Sequence, residues 1–432
     1  MSTLLELAIA SATETKIYHE GLGALGLVGE FVRTQFPGRS ALVIGVSDTR
    51  EVAGAPVEAA LRKAGVVLEP SLVIEVPPFL HADYAWIERI RERLAQSDAV
   101  PVAVGSGTLN DLVKRAAAEL GRPYVCVPTA ASVDGYTSSG AAILKDGFKQ
   151  TLACAAPLAV FADTEVLAGA PAYLTSSGYG DLASKLIAGA DWLLADAAGA
   201  DPLHGFAYRL TQQELRTILQ NPEPLTLFRG LALTGFAMQL TKSSRPVSGC
   251  EHLFSHIWEM EDLQVGGRPV THGHKVAIGT LIATAVYEAV LELPSLPERT
   301  GPFPSTQDRE REVRRSFSGS AAAEGAVNGA VQVSVSKLSA ETAQRRLSLV
   351  RDAWPQLRDR LRSQLIPYAE LRTAMAAAGC PVTAEAIGLT RDYALQTAHR
   401  AQMIRDRYSV LDLLFDAGLL DEVLERVRAN PA

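Results

Sequence analysis

Short apolar runs alternate with amphipathic segments between residues 40 and 160. Short β-rich runs at residues 41–45, 99–104 and 124–127 have the apolar character of buried strands, and residues 68–76 are strand-like. Apolar residues recur with helical spacing between these runs, at residues 57–64, 84–96 and 109–120. This alternation of strands and helices predicts a parallel, doubly wound α/β sheet.

After about residue 165 the chain changes to long Ala- and Leu-rich stretches with helical periodicity. These stretches lie at residues 181–197, 208–220, 225–242, 250–260, 273–292, 339–362, 383–406 and 410–428. A Pro-, Gly- and Ser-rich segment at 294–320 contains a charge cluster, Gln307–Arg315, which we interpret as a solvated loop or a short exposed helix. The sequence therefore predicts an α/β domain over residues 1–165 and an all-helical domain over residues 166–432.

Composition restricts the class of protein. Hydrophobic residues make up 47% of the 432 positions and charged residues 21%, which is typical of a globular protein. The net charge of −7 and the lack of an extended basic run argue against a nucleic-acid or membrane partner. The four cysteines are scattered, and the sequence shows neither a signal peptide nor a charge-free apolar span, so we expect a cytoplasmic protein.

Four of the eight histidines lie between residues 252 and 274. Imidazole is the commonest protein ligand for catalytic transition metals. His252 and His256 are four residues apart, so a helix would place both rings on one face, and His272 is far enough along to return on a neighbouring helix. Asp181 is the best candidate for a carboxylate ligand, although an acidic residue at a predicted helix start is also explained by capping. The alternative is that these histidines are ordinary, partly buried polar residues.

Two polar loops follow predicted buried strands. The first, Gly105-Ser-Gly-Thr-Leu-Asn-Asp111, leads into a helix whose free N–H groups would favour a phosphate, but any strand-to-helix turn also needs glycine. The second, Pro128–Gly140, contains five Ser and Thr hydroxyls together with Asp134 and Tyr136. It lies where open α/β sheets bind ligands, at the carboxyl end of a strand, although it also fits a polar surface loop.

These motifs resemble those of the sn-glycerol-1-phosphate dehydrogenase family, the bacterial branch in particular. That family belongs to the superfamily of metal-dependent alcohol dehydrogenases, glycerol dehydrogenases and dehydroquinate synthases. The resemblance spans most of the chain and includes both loops and the segments Ser177–Lys185, Ser248–His256, His272–Val276 and Arg405–Leu414. It implies a Rossmann-like nicotinamide dinucleotide-binding domain followed by an all-α domain that binds metal and substrate, as in dehydroquinate synthase.

The resemblance also implies roles for individual residues. Asp181, His252 and His272 would bind one divalent metal, zinc or nickel. Asp134, Asp181 and His256 would contact the substrate, with Asp181 and His256 acting in catalysis. NAD or NADP would be held by residues of the two loops, namely Gly105, Gly107, Thr108, Leu109, Asn110, Asp111, Thr129, Ala130, Ala131, Ser132 and Ser138.

The implied activity is the interconversion of dihydroxyacetone phosphate and sn-glycerol 1-phosphate by a cytoplasmic homodimer in phospholipid metabolism. The alternatives are a glycerol or polyol dehydrogenase, a sugar-phosphate cyclase of the dehydroquinate synthase type, and a non-catalytic nucleotide-binding protein. Two departures from the family pattern stand out. Ser106 replaces a common glycine, which requires a negative φ at that position. The strand end at 44–49 offers only Asp48 to bind the adenosine ribose, so the preference for NAD or NADP stays open.

Overall fold

The computed structural model describes residues 3–75, 80–145 and 148–429. Contacts divide the chain into two compact units, the first made of Met1–Leu182 and Gln213–Ser243, the second of Ala183–Gln212 and Ser244–Ala432. The strands are β1 (Ile17–Gly21), β2 (Ala41–Val46), β3 (Leu72–Ile74), β4 (Val100–Gly105), β5 (Val125–Pro128), β6 (Ala141–Lys145), β7 (Phe148–Leu152), β8 (Ala159–Asp163), β9 (Gln264–Val265) and β10 (Arg268–Pro269).

Helices occupy most of the remaining chain. Those up to residue 183 are α1 (Leu4–Ser11), α2 (Val28–Gln35), α3 (Ser47–Thr49), α4 (Ala55–Lys63), α5 (Tyr84–Leu94), α6 (Gly107–Glu119), α7 (Thr164–Ala168) and α8 (Ala172–Ala183). Those that follow are α9 (Lys185–Ala197), α10 (Gly205–Gln212), α11 (Leu215–Gln220), α12 (Pro224–Thr241), α13 (Cys250–Met260), α14 (His272–Leu291), α15 (Thr306–Ser316), α16 (Glu324–Ser336), α17 (Ala340–Gln364), α18 (Tyr368–Ala377), α19 (Arg391–Met403), α20 (Val410–Ala417) and α21 (Leu420–Ala429).

A six-stranded parallel sheet forms the centre of the first unit, in the order β1-β8-β5-β4-β2-β3. The four predicted strands are β2 to β5, which confirms the α/β fold class; Val76, at the end of the second predicted strand, lies outside the described residues. The sequence pattern did not predict β1, because this edge strand is largely half-exposed and carries no apolar run. Valines of β2, β4 and β5 pack with α2 and α4 in one apolar core.

The second unit is helical in its described residues, apart from the two-residue strands β9 and β10. Two predicted helices, 383–406 and 410–428, are each interrupted by a glycine. Gly388 and Gly418 adopt φ values of 79° and 71°, a left-handed conformation that ends a helical segment. The charge cluster at Gln307–Arg315 forms α15, the short helix that was one of its two interpretations, whereas α16 and α18 were not predicted.

One described helix, α14, is long and apolar enough to cross a membrane, with a mean hydropathy of 1.3. However, 72% of that apolar window is buried within the fold. Its side chains, including Ile278, Val286 and Tyr287, belong to the apolar core of the second unit, together with Phe254 and Trp258 of α13. This degree of burial is typical of a helix in the core of a folded domain.

The prediction that Asp181 opens a helix was wrong. Asp181 lies two residues before the end of α8, and a separate helix, α9, begins at Lys185. The pattern was misleading because Gly178 interrupts the apolar periodicity. That glycine is needed for packing, since a Cβ at position 178 would lie 1.8 Å from the carbonyl oxygen of Ala131.

Candidate cofactor and metal sites

The two polar loops lie side by side at the carboxyl edge of the sheet. Gly105 at the end of β4 is paired with Pro128 at the end of β5, and Thr129 donates its N–H to the carbonyl of Gly105 at 3.1 Å. Ser106 is the residue immediately before α6 and has a φ of −74°, so the serine meets the requirement for a negative φ. A Cβ on Gly107 would lie 2.3 Å from Cγ2 of Val133, so this glycine permits the close approach of the loops.

Two of the predicted cofactor side chains in the first turn of α6 point into the protein. Leu109 and Asn110 are buried, and Asn110 Oδ1 accepts a hydrogen bond from the hydroxyl of Tyr124. Asp111 accepts the N–H of Ala142 at 3.1 Å. What this turn presents to a ligand is therefore chiefly the backbone N–H groups at the start of α6, the arrangement that binds phosphate.

The second loop is fixed by hydroxyl groups. Tyr136 donates to the carbonyl of Ala130 at 2.7 Å and lies 3.1 Å from the hydroxyl of Ser132. Burial raises the pKa of Tyr136 far above its usual range, so the phenol stays a neutral donor. Ser138 donates to the carbonyl of Gly135 at 3.0 Å. Three of the predicted cofactor residues, Ala130, Ser132 and Ser138, therefore make hydrogen bonds within the loop itself.

Lys114 is a residue of this region that the sequence pattern did not single out. Its side chain is fully buried, and Nζ donates to the carbonyls of Gly135 and Gly140 at 2.7 and 3.0 Å. The same ammonium forms a 3.1 Å ion pair with Asp111. Lys114 therefore connects α6 to the second loop, and the available signal was a lysine among the buried positions of an amphipathic helix.

Asp181 contacts the second loop in the first unit. Its Oδ2 accepts the backbone N–H of Asp134 at 3.0 Å. Asp181 is completely buried, whereas Asp134 is half-buried. Ser177, one turn earlier on α8, donates to the carbonyl of Ser132 at 3.2 Å. The structure therefore brings together two residues that were singled out for separate reasons, Asp134 and Asp181.

Three of the clustered histidines come together in the second unit. The ring centroids of His252 and His272 are 5.4 Å apart, and those of His252 and His256 are 6.3 Å apart. His252 and His256 lie on α13, and His272 is the first residue of α14, as their spacing predicted. The two helices can approach closely because Gly279 lies against the backbone of Glu251, where a Cβ would be 2.4 Å from the carbonyl oxygen.

Each of the two predicted histidine ligands has a carboxylate partner. Nδ1 of His252 lies 2.7 Å from Oε1 of Glu251, and Nδ1 of His272 lies 2.8 Å from Oε1 of Glu259. The sequence interpretation missed both glutamates, although both are on the helix that carries His252 and His256. A carboxylate on Nδ1 is the usual partner of a metal-binding histidine, so this donor set fits a metal ion.

Comparison with known proteins supports the family resemblance. A family model described as iron-containing alcohol dehydrogenase matches residues 20–171. The glycerol-1-phosphate dehydrogenase (NAD(P)+) of Halalkalibacterium halodurans is 32% identical over 256 residues, covering 57% of this chain and 64% of the relative. The enzyme of the same name from Methanosarcina acetivorans is 33% identical over 272 residues, covering 61% of this chain and 74% of the relative. The chain spans about half to two thirds of the length of the first curated relatives that it matches.

Solved structures give the fold. A probable glycerol dehydrogenase from Sinorhizobium meliloti 1021 superposes with a TM-score of 0.58 at 15% identity, covering 95% of this chain and 98% of the other. At that identity the likeness shows the fold alone. The expected architecture, a parallel sheet unit with a helical C-terminal region, is confirmed.

Proposed function

This chain belongs to the glycerol-1-phosphate dehydrogenase family, and we propose that it interconverts dihydroxyacetone phosphate and sn-glycerol 1-phosphate with NAD(P)H and a divalent metal. The observation that carries the proposal is the hydrogen bond from Asp134 N–H to Asp181. It joins the loop proposed to hold the dinucleotide to the carboxylate proposed to bind the metal. The names of the relatives supply the substrate and the cofactor.

The dinucleotide phosphates are proposed to bind at the carboxyl edge of the sheet. The N–H groups at the start of α6, from Gly107 to Leu109, precede the first intrahelical hydrogen bond, which Asn110 donates to Ser106, and they lie at the positive end of the helix dipole. Thr129 to Ser132 and Ser138 line the adjoining loop. Binding requires little rearrangement, because Tyr136 and Lys114 already fix that loop.

The metal is proposed to bind to Asp181, His252 and His272, as zinc or nickel. A carboxylate and two neutral imidazoles form a donor set with open positions, suited to a catalytic rather than a structural metal. A metal held there would supply Lewis acidity to the ketone oxygen of the substrate, and the nicotinamide would supply the hydride. His256, one turn after His252, is proposed to hold or deliver the proton of the product hydroxyl, and Asp134 to contact the substrate.

The setting of the enzyme is also a proposal. We propose a homodimer in the cytoplasm that acts on a small phosphorylated three-carbon substrate and contributes to phospholipid metabolism. The net charge of −7 does not oppose an anionic substrate, because a bound divalent cation and a helix N-terminus provide local positive potential.

The test is oxidation of NADH and of NADPH, followed at the nicotinamide absorbance, with protein reconstituted separately with zinc and with nickel. Turnover with dihydroxyacetone phosphate that disappears with a chelator, and with unphosphorylated dihydroxyacetone, would establish the proposed reaction. Equal turnover with the unphosphorylated ketone would point to a polyol dehydrogenase instead. No net oxidation of the nicotinamide with any ketone would overturn the oxidoreductase assignment.

A further inference from the structure

We infer that Glu251 and Glu259 are positioning residues that select which nitrogen of His252 and of His272 is available to bind the metal. The inference rests on the proposed function, because it takes these two histidines as ligands. A neutral imidazole carries one proton, and a carboxylate that accepts the Nδ1 proton leaves the lone pair on Nε2. Both rings have a glutamate oxygen within hydrogen-bond distance of Nδ1, an arrangement that favours the same tautomer in both.

The first pair is the more rigid. Oε1 of Glu251 lies 2.7 Å from Nδ1 of His252 and also accepts the backbone N–H of Gly249 at 2.8 Å. The glutamate side chain is fully buried, at 0% exposure, and that of His252 is 6% exposed. With two donors on one oxygen in a buried setting, the carboxylate has little freedom to turn away from the ring.

The other surroundings of Glu251 do not offset the free-energy cost of burying its carboxylate. Its second oxygen, Oε2, has no hydrogen-bond partner among the described residues. A second carboxylate lies nearby, because the ligand atoms of Asp191, Cys250 and Glu251 are all within 4.8 Å of one another. An under-satisfied buried carboxylate beside another acid costs free energy. Orienting His252 is a functional reason to retain it.

The second pair, Glu259 and His272, makes the same kind of contact, and its glutamate lies on the same helix as Glu251. Glu259 follows Glu251 by eight residues, slightly more than two turns of α13, so both carboxylates occupy one side of the helix. Oε1 of Glu259 lies 2.8 Å from Nδ1 of His272, and Nζ of Lys275 is 3.5 Å from the same oxygen. Oε1 of Glu259 therefore has a second contact beside the ring, which limits its freedom to turn away from His272.

The competing explanation is two ordinary buried ion pairs between carboxylates and protonated histidines. In that case both ring nitrogens would carry protons, and the glutamates would support only folding. The two explanations differ in the protonation of the rings in metal-free protein near neutral pH. They also differ in whether removal of a glutamate affects metal binding when the fold is retained.

The experiment measures zinc affinity by competition with a chromophoric chelator, and imidazole tautomers by nitrogen-15 NMR of the metal-free protein. The variants are Glu251→Gln, Glu251→Ala, Glu259→Gln and Glu259→Ala. The matched control is Glu261→Gln, because Glu261 follows the same helix but binds Tyr393 and Arg400 instead of a histidine. Far-UV circular dichroism and a melting curve identify variants that fail to fold.

We expect each alanine variant to bind zinc roughly 10- to 100-fold more weakly, the range for loss of a carboxylate that orients a ligand. The glutamine variants should recover part of that affinity, because the amide oxygen can still accept the Nδ1 proton. Wild type should show Nδ1-protonated rings for His252 and His272, and the control should match wild type. If Glu251→Ala fails to fold, Glu259→Ala and both glutamine variants still decide the question.

Native zinc affinity in folded alanine variants would overturn the inference, as would doubly protonated rings in wild type near neutral pH. His252→Ala separates this failure from failure of the proposed function. If His252→Ala binds zinc as wild type does, the metal assignment itself is wrong. If His252→Ala loses zinc while the glutamate variants keep it, only the positioning role is wrong.

Discussion

The backbone N–H of Asp134 donates to Oδ2 of Asp181, with 3.0 Å between the nitrogen and the oxygen. Because the donor is a backbone group, side-chain substitutions at position 134 leave this hydrogen bond in place. Asp181 itself is fully buried and its orientation depends on such donors. Substitutions at the two positions can therefore distinguish effects on metal binding from effects on substrate binding.

Asp181→Asn should keep the acceptor for Asp134 N–H and lose the negative charge. We expect a stability within about 1 kcal/mol of wild type, loss of bound metal and loss of turnover. Metal content after dialysis, the melting temperature and NADH oxidation measure the three quantities. Retention of both metal and turnover in this variant would remove Asp181 from the ligand set.

Asp134→Ala should impair the reaction with substrate while leaving metal binding unchanged. The half-buried carboxylate is removed while the hydrogen bond to Asp181 stays, so metal should remain bound while KM rises or kcat falls. Metal analysis with steady-state kinetics tests this. Loss of metal from the variant would mean that Asp134 contributes to the metal site.

His252→Ala should abolish turnover and lower bound metal while the fold persists. The ring lies between helices α13 and α14, which are held by an apolar core that the substitution does not touch. His81→Ala is the control, because His81 is exposed and lies outside the cluster. Normal turnover in His252→Ala would contradict the metal assignment.

Gly178→Ala should be strongly disruptive. Its Cβ would lie 1.8 Å from the carbonyl oxygen of Ala131, so α8 or the second loop must shift. We expect a loss of roughly 1–3 kcal/mol in unfolding free energy, with weaker NADH binding. Gly329→Ala in α16 is the control, because nothing lies within 4 Å of its Cβ and alanine should stabilise that helix by roughly 0.5–1 kcal/mol. Equal behaviour of the two variants would refute the packing argument.

Asp191 should make the protein less stable as pH rises from about 4 to about 6. Burial, and then the charge of Glu251, raise the pKa of Asp191 to about 6, although Tyr287, Arg245 and the N–H of Cys250 oppose this. The folded chain therefore binds more protons than the unfolded chain in that window, and the effect amounts to roughly 2–3 kcal/mol. Urea unfolding at a series of pH values should show this slope in wild type and a smaller slope in Asp191→Asn. Equal slopes would show that Asp191 is ionised throughout the window.

The pattern of apolar and polar residues along the chain was enough to predict those elements whose residues are close together in the sequence. Strands β2, β4 and β5 lie inside the sheet and are buried almost throughout, so each one appears in the sequence as a continuous apolar run. The spacing of His252 and His256 fixed their common helix face, and the order of the two loops after β4 and β5 placed them at one edge of the sheet. The sequence did not predict edge strand β1, the helix breaks at Gly388 and Gly418, or the position of Asp181 near the end of a helix. Each depends on backbone conformation or packing that a periodic pattern does not contain.

By itself, the sequence determined the α/β and helical fold classes, the two polar loops and the histidine cluster, because these are carried by residues close together in the chain. Only the tertiary structure decided which polar side chains support them. Lys114 reaches the carbonyls of Gly135 and Gly140, Glu259 reaches His272, and Asp181 reaches the backbone N–H of Asp134, over separations of 13 to 47 residues. Hydrogen bonds of this kind depend on how helices and strands pack, and packing is a property of the whole chain rather than of any segment.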